Sequence, residues 1–221
     1  MDDIHSWWDT LPGERFWLGV TERVGDAEML ATPCGQGRGG CSRESSLLRH
    51  VGDGDVVFHY DVARAGIVAW SASQGRVRKQ ALAWQGHGAE STASRTVPSW
   101  TIGLKRATPL EPIVTLARIA RIQSDLFPAL QLFEDGVGAP LDYPFAMGSA
   151  ETTHVLAGRV FKLPALFVAA CPELTAVAER VSWFAVEQAR VAAGRERAGG
   201  APVPARREFA GGGRSPGFAG R

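Results

Sequence analysis

Short runs of β-branched and aromatic residues, bounded by turn residues, are the most regular pattern along the chain. Residues 16–21 and 56–60 have this pattern, which is typical of buried strands. Residues 65–71 follow the second run after a short polar connection, so these two runs predict a β-hairpin. A fourth run covers residues 99–104. We therefore expect a sheet whose strands pair mostly across long sequence separations.

Three segments have the apolar spacing of helices. Residues 45–51 place a short apolar run after two serines that can cap a helix, and residues 112–122 place apolar side chains on one face after a proline start. Residues 172–193 form the clearest amphipathic stretch, with an apolar stripe opposite charged side chains. We expect the first two helices to pack against the sheet, which predicts an α+β fold.

Composition then divides the chain. With 221 residues and 45% hydrophobic positions, the chain can build one core. From Gly194 onwards it contains eight glycines and three prolines, too little apolar surface to offset the entropy of ordering. The predicted divisions are an N-terminal arm at 1–14, a main domain at 15–172, a C-terminal helix at 173–195 and a flexible, disordered tail or linker at 196–221.

Charge and cysteine content limit the kinds of partner and the cellular location that we expect. The 24 basic and 23 acidic residues nearly cancel, so any binding to nucleic acid has to be local and not a bulk effect. Three cysteines are odd in number and too few for a disulfide framework, which favours a reducing, cytoplasmic location. We expect no signal peptide and no membrane span, because no apolar stretch is long enough.

Two basic clusters are candidates for contact with phosphate. The glycine-rich segment 35–40 carries Arg38, and Arg43 follows it. This segment lacks the Lys-Ser/Thr ending of a P-loop, so binding of nucleotide triphosphates is not expected. The second cluster is Arg76, Arg78 and Lys79, which we place on the far side of a cleft from the first.

The order of these features resembles a known family. An aromatic first strand is followed by a glycine-rich loop, a short helix, a Gly-Asp turn at 52–55 with its strand, a strand ending at Trp70, and later the segment 159–164. In this order, residues 15–172 resemble the EVE and YTH branch of the PUA-like superfamily. The resemblance implies a curved, partly closed β-barrel flanked by helices, and a cleft where an aromatic cage receives a modified base.

The resemblance also implies which residues read the base. In that family they lie just after the first strand, at the start of the first helix, and in the loop beyond the hairpin. Here these positions are Thr21 and Glu22, then Cys41 and Ser42, then Trp84 or Trp70. Many relatives carry a tryptophan where this chain has Cys41. Tyr60, at the end of its strand, is a further candidate for facing the pocket.

A reader of a modified base follows from these positions. A base read on every edge must leave the duplex stack, at a cost of a few kcal/mol that stacking and hydrogen bonds offset. A carboxylate such as Glu22 can accept from the exocyclic amine of cytosine, whereas thymine offers an acceptor there. We expect recognition of a modified cytosine such as 5-methylcytosine in double-stranded DNA.

The resemblance further implies that this is the specificity domain of a modification-dependent restriction endonuclease. No catalytic motif occurs in the chain, so nuclease activity is expected from a domain outside it, and we expect no cofactor and no metal.

Two alternatives remain at this level. The same fold serves RNA recognition in the YTH branch, including reading of methylated adenine. A hypothesis of another class is a metal-dependent hydrolase that uses His50, His59 and Asp61. The tryptophans also have a structural interpretation, which predicts Trp17 and Trp100 in the core and Trp7 and Trp8 in a docked N-terminal arm.

Overall fold

A computed structural model describes residues 7–21, 28–34, 47–85, 94–147, 153–156 and 159–181, all of them within the unit Met1–Glu187. It has a mixed α+β fold with nine strands among the described residues: β1 Phe16–Thr21, β2 Met29–Pro33, β3 Val56–Asp61, β4 Gly66–Gln85, β5 Ser94–Leu104, β6 Thr108–Thr115, β7 Phe145–Met147, β8 Thr153–Val155 and β9 Val160–Lys162. The helices are α1 Leu116–Val137, α2 Ala165–Ala169 and α3 Pro172–Ala178, with short 3-10 turns at Trp7–Thr10 and Leu48–His50.

Seven strands form one curled sheet, an open half-barrel. The strand order is β2-β5-β4-β3-β1-β9, and β6 pairs with β4 beside this path. Strands β1 and β3 are parallel, and the other pairs of this sheet are antiparallel. The predicted hairpin is confirmed as β3–β4, with Asp61 opposite Gly66. The remaining strands, β7 and β8, pair only with each other among the described residues.

The long strand β4 holds the sheet together. Its first part pairs with β3 and β6, and its second part pairs with β5. The register with β5 shifts between Gln74 and Arg78, which marks a β-bulge. Bulges bend a strand and increase its twist. The bulge lies where β4 passes from one set of partners to the other, so it accounts for part of the curl.

Both faces of the sheet are covered, which explains why every residue of β3 is buried. On one face, Phe16, Leu18 and Phe58 pack against residues of all three helices. On the other face, Trp17 and Val57 pack against residues of β5, the two 3-10 turns and the far end of α1. Alternate residues of β1 thus enter different cores, because successive side chains in a strand point to opposite faces.

The described part of the N-terminal arm, from Trp7 onwards, docks as predicted. Trp7 is 2% exposed and Trp8 is 4% exposed, and Trp8 packs edge-to-face on Trp17 with ring centres 5.6 Å apart. Trp17 is itself 1% exposed, as expected of a core residue. None of the helices in the described residues has the length and hydrophobicity that a membrane crossing needs.

Two helix predictions need correction. The predicted helix at 112–122 begins only at Leu116, since residues 108–115 form β6 and the Thr115 side chain caps the helix by accepting from the Arg118 backbone N–H at 3.3 Å. Proline has no backbone N–H to donate, so within sheets it occurs at strand edges and bulges. Pro112 lies in β6 and does not start the helix. The helix then continues to Val137, beyond the predicted end.

The second correction concerns the predicted C-terminal helix. Helix α3 ends at Ala178, because the backbone N–H groups of Arg180 and Val181 donate to carbonyls three residues earlier, and this tightens the chain into a turn. Residues 182–221, which include the rest of the predicted helix and the predicted tail, lie outside the described residues.

Candidate nucleic-acid interface

Positive charge is concentrated in one part of this nearly neutral chain. Residues 62–110 contain seven lysine or arginine residues and one acidic residue, Glu90. This region therefore has a net charge of +6, while the whole chain has +1. The total charge hides this asymmetry, which a running sum of charge along the sequence locates.

The bulge of β4 shapes a basic groove. Arg76 and Arg78 line it together with Gln74, and Thr101 and Gly103 of β5 line it from the neighbouring strand. The groove has a volume of about 410 Å³. A Cβ atom at Gly103 would lie 3.2 Å from the carbonyl oxygen of Gln74. Glycine at this position lets the bulged strand approach β5 closely and keeps the groove open.

Three further cations lie near this groove in the sequence, and Lys79, next to Arg78, is on the opposite face of β4, over Trp100. Lys79 follows Arg78 in β4, and Lys105 and Arg106 follow β5. All five cations are exposed, and none of them forms an ion pair within the described part of the chain. The backbone N–H of Lys105 donates to the carbonyl of Ala72 at 2.9 Å, which places this lysine beside β4 ahead of the bulge. The arrangement leaves these charges available to an anionic partner.

The Gly-Asp turn before β3 holds the bulge in place. Asp53 Oδ1 accepts from the Gly75 N–H at 2.7 Å, directly beside Arg76. The Arg15 guanidinium ties the same turn to β1, because it donates to Asp55 Oδ1 at 2.7 Å and to the Asp53 carbonyl at 2.6 Å. The basic groove is thus anchored to the rigid sheet rather than carried by a free loop.

An aromatic cleft lies on β4 ahead of the bulge. Trp70, Ala72 and Gln74 alternate along the strand and so share one face, which we call the Trp70 face. Half-buried Trp70 lines a cleft of about 690 Å³ between β6 and α3. Apolar walls and three charged side chains complete the lining: Pro109, Leu110, Pro112, Pro172, Ala176 and Val177, with Glu111, Glu173 and Arg180.

Glu173 is an ionised carboxylate in this cleft. Partial burial by itself raises its pKa, but hydrogen bonds from its own backbone N–H and the Cys171 thiol, together with the nearby Arg118, bring the pKa below its usual range. The thiol donates to Glu173 Oε2 at 3.1 Å, and Arg118 Nε lies 3.9 Å from Oε1. The lining of the cleft therefore includes both a carboxylate acceptor and an aromatic ring, a combination that suits an amine-bearing heterocycle.

The cleft and the groove lie on one strand. Arg76 lies six positions after Trp70, which corresponds to about 20 Å along a strand. Gln74, on the Trp70 face, also lines the groove with Arg76 and Arg78. The two features therefore form one continuous surface along β4.

The structure separates several of the predicted base-reading residues. Trp84 lies in β4 opposite Arg95, fourteen residues beyond Trp70, so the backbone positions of the two tryptophans are about 45 Å apart along the strand. Thr21 ends β1 opposite Asp61. Tyr60 is 3% exposed and packs in the core against Phe145.

Of the other predicted site residues, the structure describes some and not others. Arg76, Arg78 and Lys79 come together at the bulge, as described above. Glu22, Cys41 and Ser42, predicted to read the base, and Arg38 and Arg43, predicted to contact phosphate, lie outside the described residues. Sequence reasoning missed Glu111, Glu173 and Arg180, because only the fold brings β6 and α3 to Trp70.

Trp100 is less buried than the core prediction implies. It is half-buried on β5, with the Arg49 guanidinium 5.4 Å and the Lys79 ammonium 5.8 Å from its ring centre. Cations over the face of a tryptophan are attracted by its ring quadrupole. Trp100 thus positions two exposed cations as well as packing against the core.

The residues of the hydrolase hypothesis do not form a metal site. No group of three or more histidine, cysteine or acidic residues close enough to hold a metal ion occurs among the described residues, which include His50, His59 and Asp61. His59 Nε2 instead hydrogen bonds to Ser71 Oγ at 2.8 Å. Burial lowers the pKa of His59 to about 4, so its ring is neutral at physiological pH. The hydrogen bond between His59 and Ser71 is buried within the sheet.

Comparison with known proteins gives little beyond this geometry. No protein-family model matches the chain, and no curated protein matches it. Among solved structures, it is similar to the crystal structure of a structural genomics target from Pseudomonas putida, with 15% sequence identity and a TM-score of 0.40. The similarity covers 76% of this chain and 99% of that one. A likeness at this level carries no argument about function.

Proposed function

We propose that this protein is a nucleic-acid-binding module that recognises a modified base in DNA, most specifically a modified cytosine such as 5-methylcytosine. The observation that carries the proposal is a set of exposed cations around the bulge of β4, none of them ion-paired within the described part of the chain, on the same strand as the aromatic cleft. The curled half-barrel is compatible with a PUA-like domain of the EVE and YTH type. We further propose that this module is the specificity domain of a cytoplasmic, modification-dependent restriction endonuclease. The nuclease domain would then lie outside this chain.

The first step is contact with the phosphate backbone. Arg76 and Arg78 line one groove, and guanidinium groups bind phosphate through paired N–H donors. Lys105 and Arg106, exposed just after β5, add positive charge on this side of the duplex, whereas Lys79 lies on the opposite face of β4. Such contacts fix register and orientation but carry no sequence information.

The second step is capture of the base in the Trp70 cleft. Its volume of about 690 Å³ accommodates a flipped nucleobase. The indole of Trp70 offers a stacking surface, and the carboxylates of Glu111 and Glu173 can accept from the exocyclic amine of cytosine. Thymine presents a carbonyl at that position, which would leave a carboxylate without a donor.

The family resemblance offers a second location for the base. Thr21, Glu22, Cys41 and Ser42 would then surround it near the end of β1, with Trp84 as the alternative aromatic residue. The position of Trp70 on the cleft favours the first location.

The test is binding to matched oligonucleotides at one fixed salt concentration, with 5-methylcytosine and unmodified cytosine, in DNA and in RNA. We expect Arg76→Ala/Arg78→Ala to weaken binding to all of them alike, because it removes phosphate contacts. Trp70→Ala should erase the preference for the modified base, a loss of about 1 to 3 kcal/mol. Trp70→Phe keeps an aromatic face and should keep the preference.

Arg121→Ala is the matched control, because Arg121 is an exposed arginine on α1. It should bind as the wild type does. If the wild-type protein has no measurable affinity for any of these oligonucleotides, the proposal is contradicted. If it prefers modified RNA, the proposed target becomes RNA and not DNA. Thermal melting of each variant distinguishes loss of binding from loss of folding, which matters because Trp70 also packs against the core.

A further inference from the structure

Trp100 holds two cations on the face of the sheet opposite to the basic groove. Lys79 pairs with Trp100 across β4 and β5, so their side chains lie on the same face, whereas Arg78 lies on the other. The Lys79 ammonium is 5.8 Å from the ring centre, and the Arg49 guanidinium reaches the same ring from the 3-10 turn Leu48–His50, at 5.4 Å. Three separate parts of the chain thus form one cluster of Arg49, Lys79 and Trp100, which we call the Trp100 cluster.

The charge of the Trp100 cluster favours an anionic partner. Arg49 and Lys79 are both exposed, and neither forms an ion pair in the segments that the structure describes. No acidic residue occurs in residues 47–52, 74–85 or 94–106. Because one ring holds both cations close together, they repel each other, and an anion bound beside them would offset this repulsion.

Trp100 adds an apolar surface to these charges. Its side chain is half-buried, and its ring nitrogen is buried without a hydrogen-bond partner among the described residues. The exposed part of the side chain is therefore carbon, which can stack but cannot donate a hydrogen bond. Aromatic rings interleaved with cations are typical of surfaces that bind single-stranded nucleic acid, because every base has a face that stacks on a ring or on a guanidinium plane.

We infer that the Trp100 cluster binds a single-stranded segment of DNA that continues from the duplex on the Trp70 face, an inference that rests on the proposed function. The Trp100 cluster and Arg78 point to opposite faces of β4. Duplex DNA has a persistence length of about 50 nm, so it does not bend closely enough to contact both faces. A single strand is flexible enough to pass from one face to the other.

Binding to one modified duplex, either blunt or with a single-stranded overhang, tests the inference. The overhang is a run of about ten thymidines at the 5′ or the 3′ end, a length that single-strand sites commonly cover. The wild type should bind the better of the two extended duplexes about tenfold more tightly than the blunt one, a gain that stacking of one base can supply. Arg49→Ala/Lys79→Ala should lose this gain and bind the blunt duplex as the wild type does.

Arg64→Ala/Arg121→Ala is the matched control, because it removes two exposed arginines from other surfaces, the turn between β3 and β4 and helix α1. This control should keep the tenfold gain. Trp100→Phe retains an aromatic ring and should keep the gain as well, whereas Trp100→Ala should lose it. Thermal melting of the Trp100 variants distinguishes loss of stacking from loss of folding, since Trp100 also packs against the core.

Three results would overturn the single-strand contact. The first is a wild type that gains no affinity from either overhang, and the second is a gain that persists in Arg49→Ala/Lys79→Ala. The third is a second blunt duplex bound per protein and lost in that variant, which would assign the Trp100 cluster to duplex DNA. If Arg76→Ala/Arg78→Ala still weakens binding to the blunt duplex in these cases, the proposed function stands. If the wild type binds no blunt duplex, the thymidine strand alone tests the cluster, and equal binding by wild type and Arg49→Ala/Lys79→Ala, or none by either, would overturn it.

Discussion

At the scale of single residues, Lys162 stands out because its side chain is completely buried. Its ammonium donates to Glu14 Oε2 at 3.2 Å and to the carbonyl oxygens of Phe16 and Leu163 at 2.9 and 3.2 Å. It also lies over the ring of Trp17, 5.3 Å from the centre. These contacts join the N-terminal arm, β1 and β9. Burial nevertheless lowers the pKa of Lys162 to about 8, although Glu14 raises it.

This pKa predicts how stability changes with pH. Below pH 8 the lysine is charged in both the folded and the unfolded chain. Between pH 8 and about 10.5 the unfolded chain still binds a proton that the folded chain has lost, so the free energy of unfolding rises with pH. We expect the stability of the wild type relative to Lys162→Met to increase by about 1 to 3 kcal/mol between pH 7.5 and 10.

Urea unfolding of both proteins at the two pH values measures this change. Groups shared by the two proteins cancel in the difference. A difference that stays constant with pH, or falls, would contradict a depressed pKa at Lys162.

At the scale of elements, the contact between β4 and β6 depends on a glycine. Gly66 faces Thr115 across this pair, and a Cβ atom there would lie 2.8 Å from the Val114 carbonyl oxygen and 3.2 Å from the Thr115 Cα. Both are backbone atoms, so no side-chain rotation can relieve the clash. The start of β4 and the N-cap of α1 therefore come together only because residue 66 has no side chain.

A pair of glycine substitutions tests this point. Gly66→Ala should lower the free energy of unfolding by about 1 to 3 kcal/mol, because the strands must separate. Gly136→Ala is the matched control in α1, where a Cβ atom meets nothing within 4 Å. It should raise stability by about 0.5 to 1 kcal/mol, since alanine favours helix. If thermal or urea unfolding shows the same change in the free energy of unfolding for both substitutions, the close approach at Gly66 does not contribute to stability.

At the scale of the whole molecule, charge is divided unevenly. The 24 basic and 23 acidic residues include seven basic and one acidic in residues 62–110, which leaves 17 and 22 in the remainder, a net charge of −5. A positive region on an otherwise negative chain orients the protein toward a polyanion. Its net charge of +1 therefore does not describe its electrostatic behaviour.

Salt dependence tests the proposed DNA interface. If the four exposed cations other than Lys79 meet phosphates, the slope of log K against log salt should be about −3 to −4 on duplex DNA. Arg76→Ala/Arg78→Ala should reduce its magnitude by about two. A wild-type slope near −1, the value that one phosphate contact gives, would argue against the proposed interface.

The local pattern of the sequence by itself determined several features of the fold. The β3–β4 hairpin follows from two apolar runs around a short polar connection, and the cores around Trp17 and the docked arm follow from large aromatic side chains that must leave water. The cluster of Arg76, Arg78 and Lys79 was also predictable, because neighbours in sequence stay neighbours in space. The finer PUA-like assignment stays a proposal.

Only the tertiary structure decided the rest. Prolines at the start of an apolar stretch suit a helix or a strand locally, and it is pairing with β4 that makes residues 108–115 a strand. Trp70 and Trp84 are equivalent candidates in sequence, but one continuous strand separates them, and the cleft forms at Trp70 because β6 and α3 arrive there from distant parts of the chain. Contacts between residues far apart in sequence depend on chain paths that local periodicity does not encode.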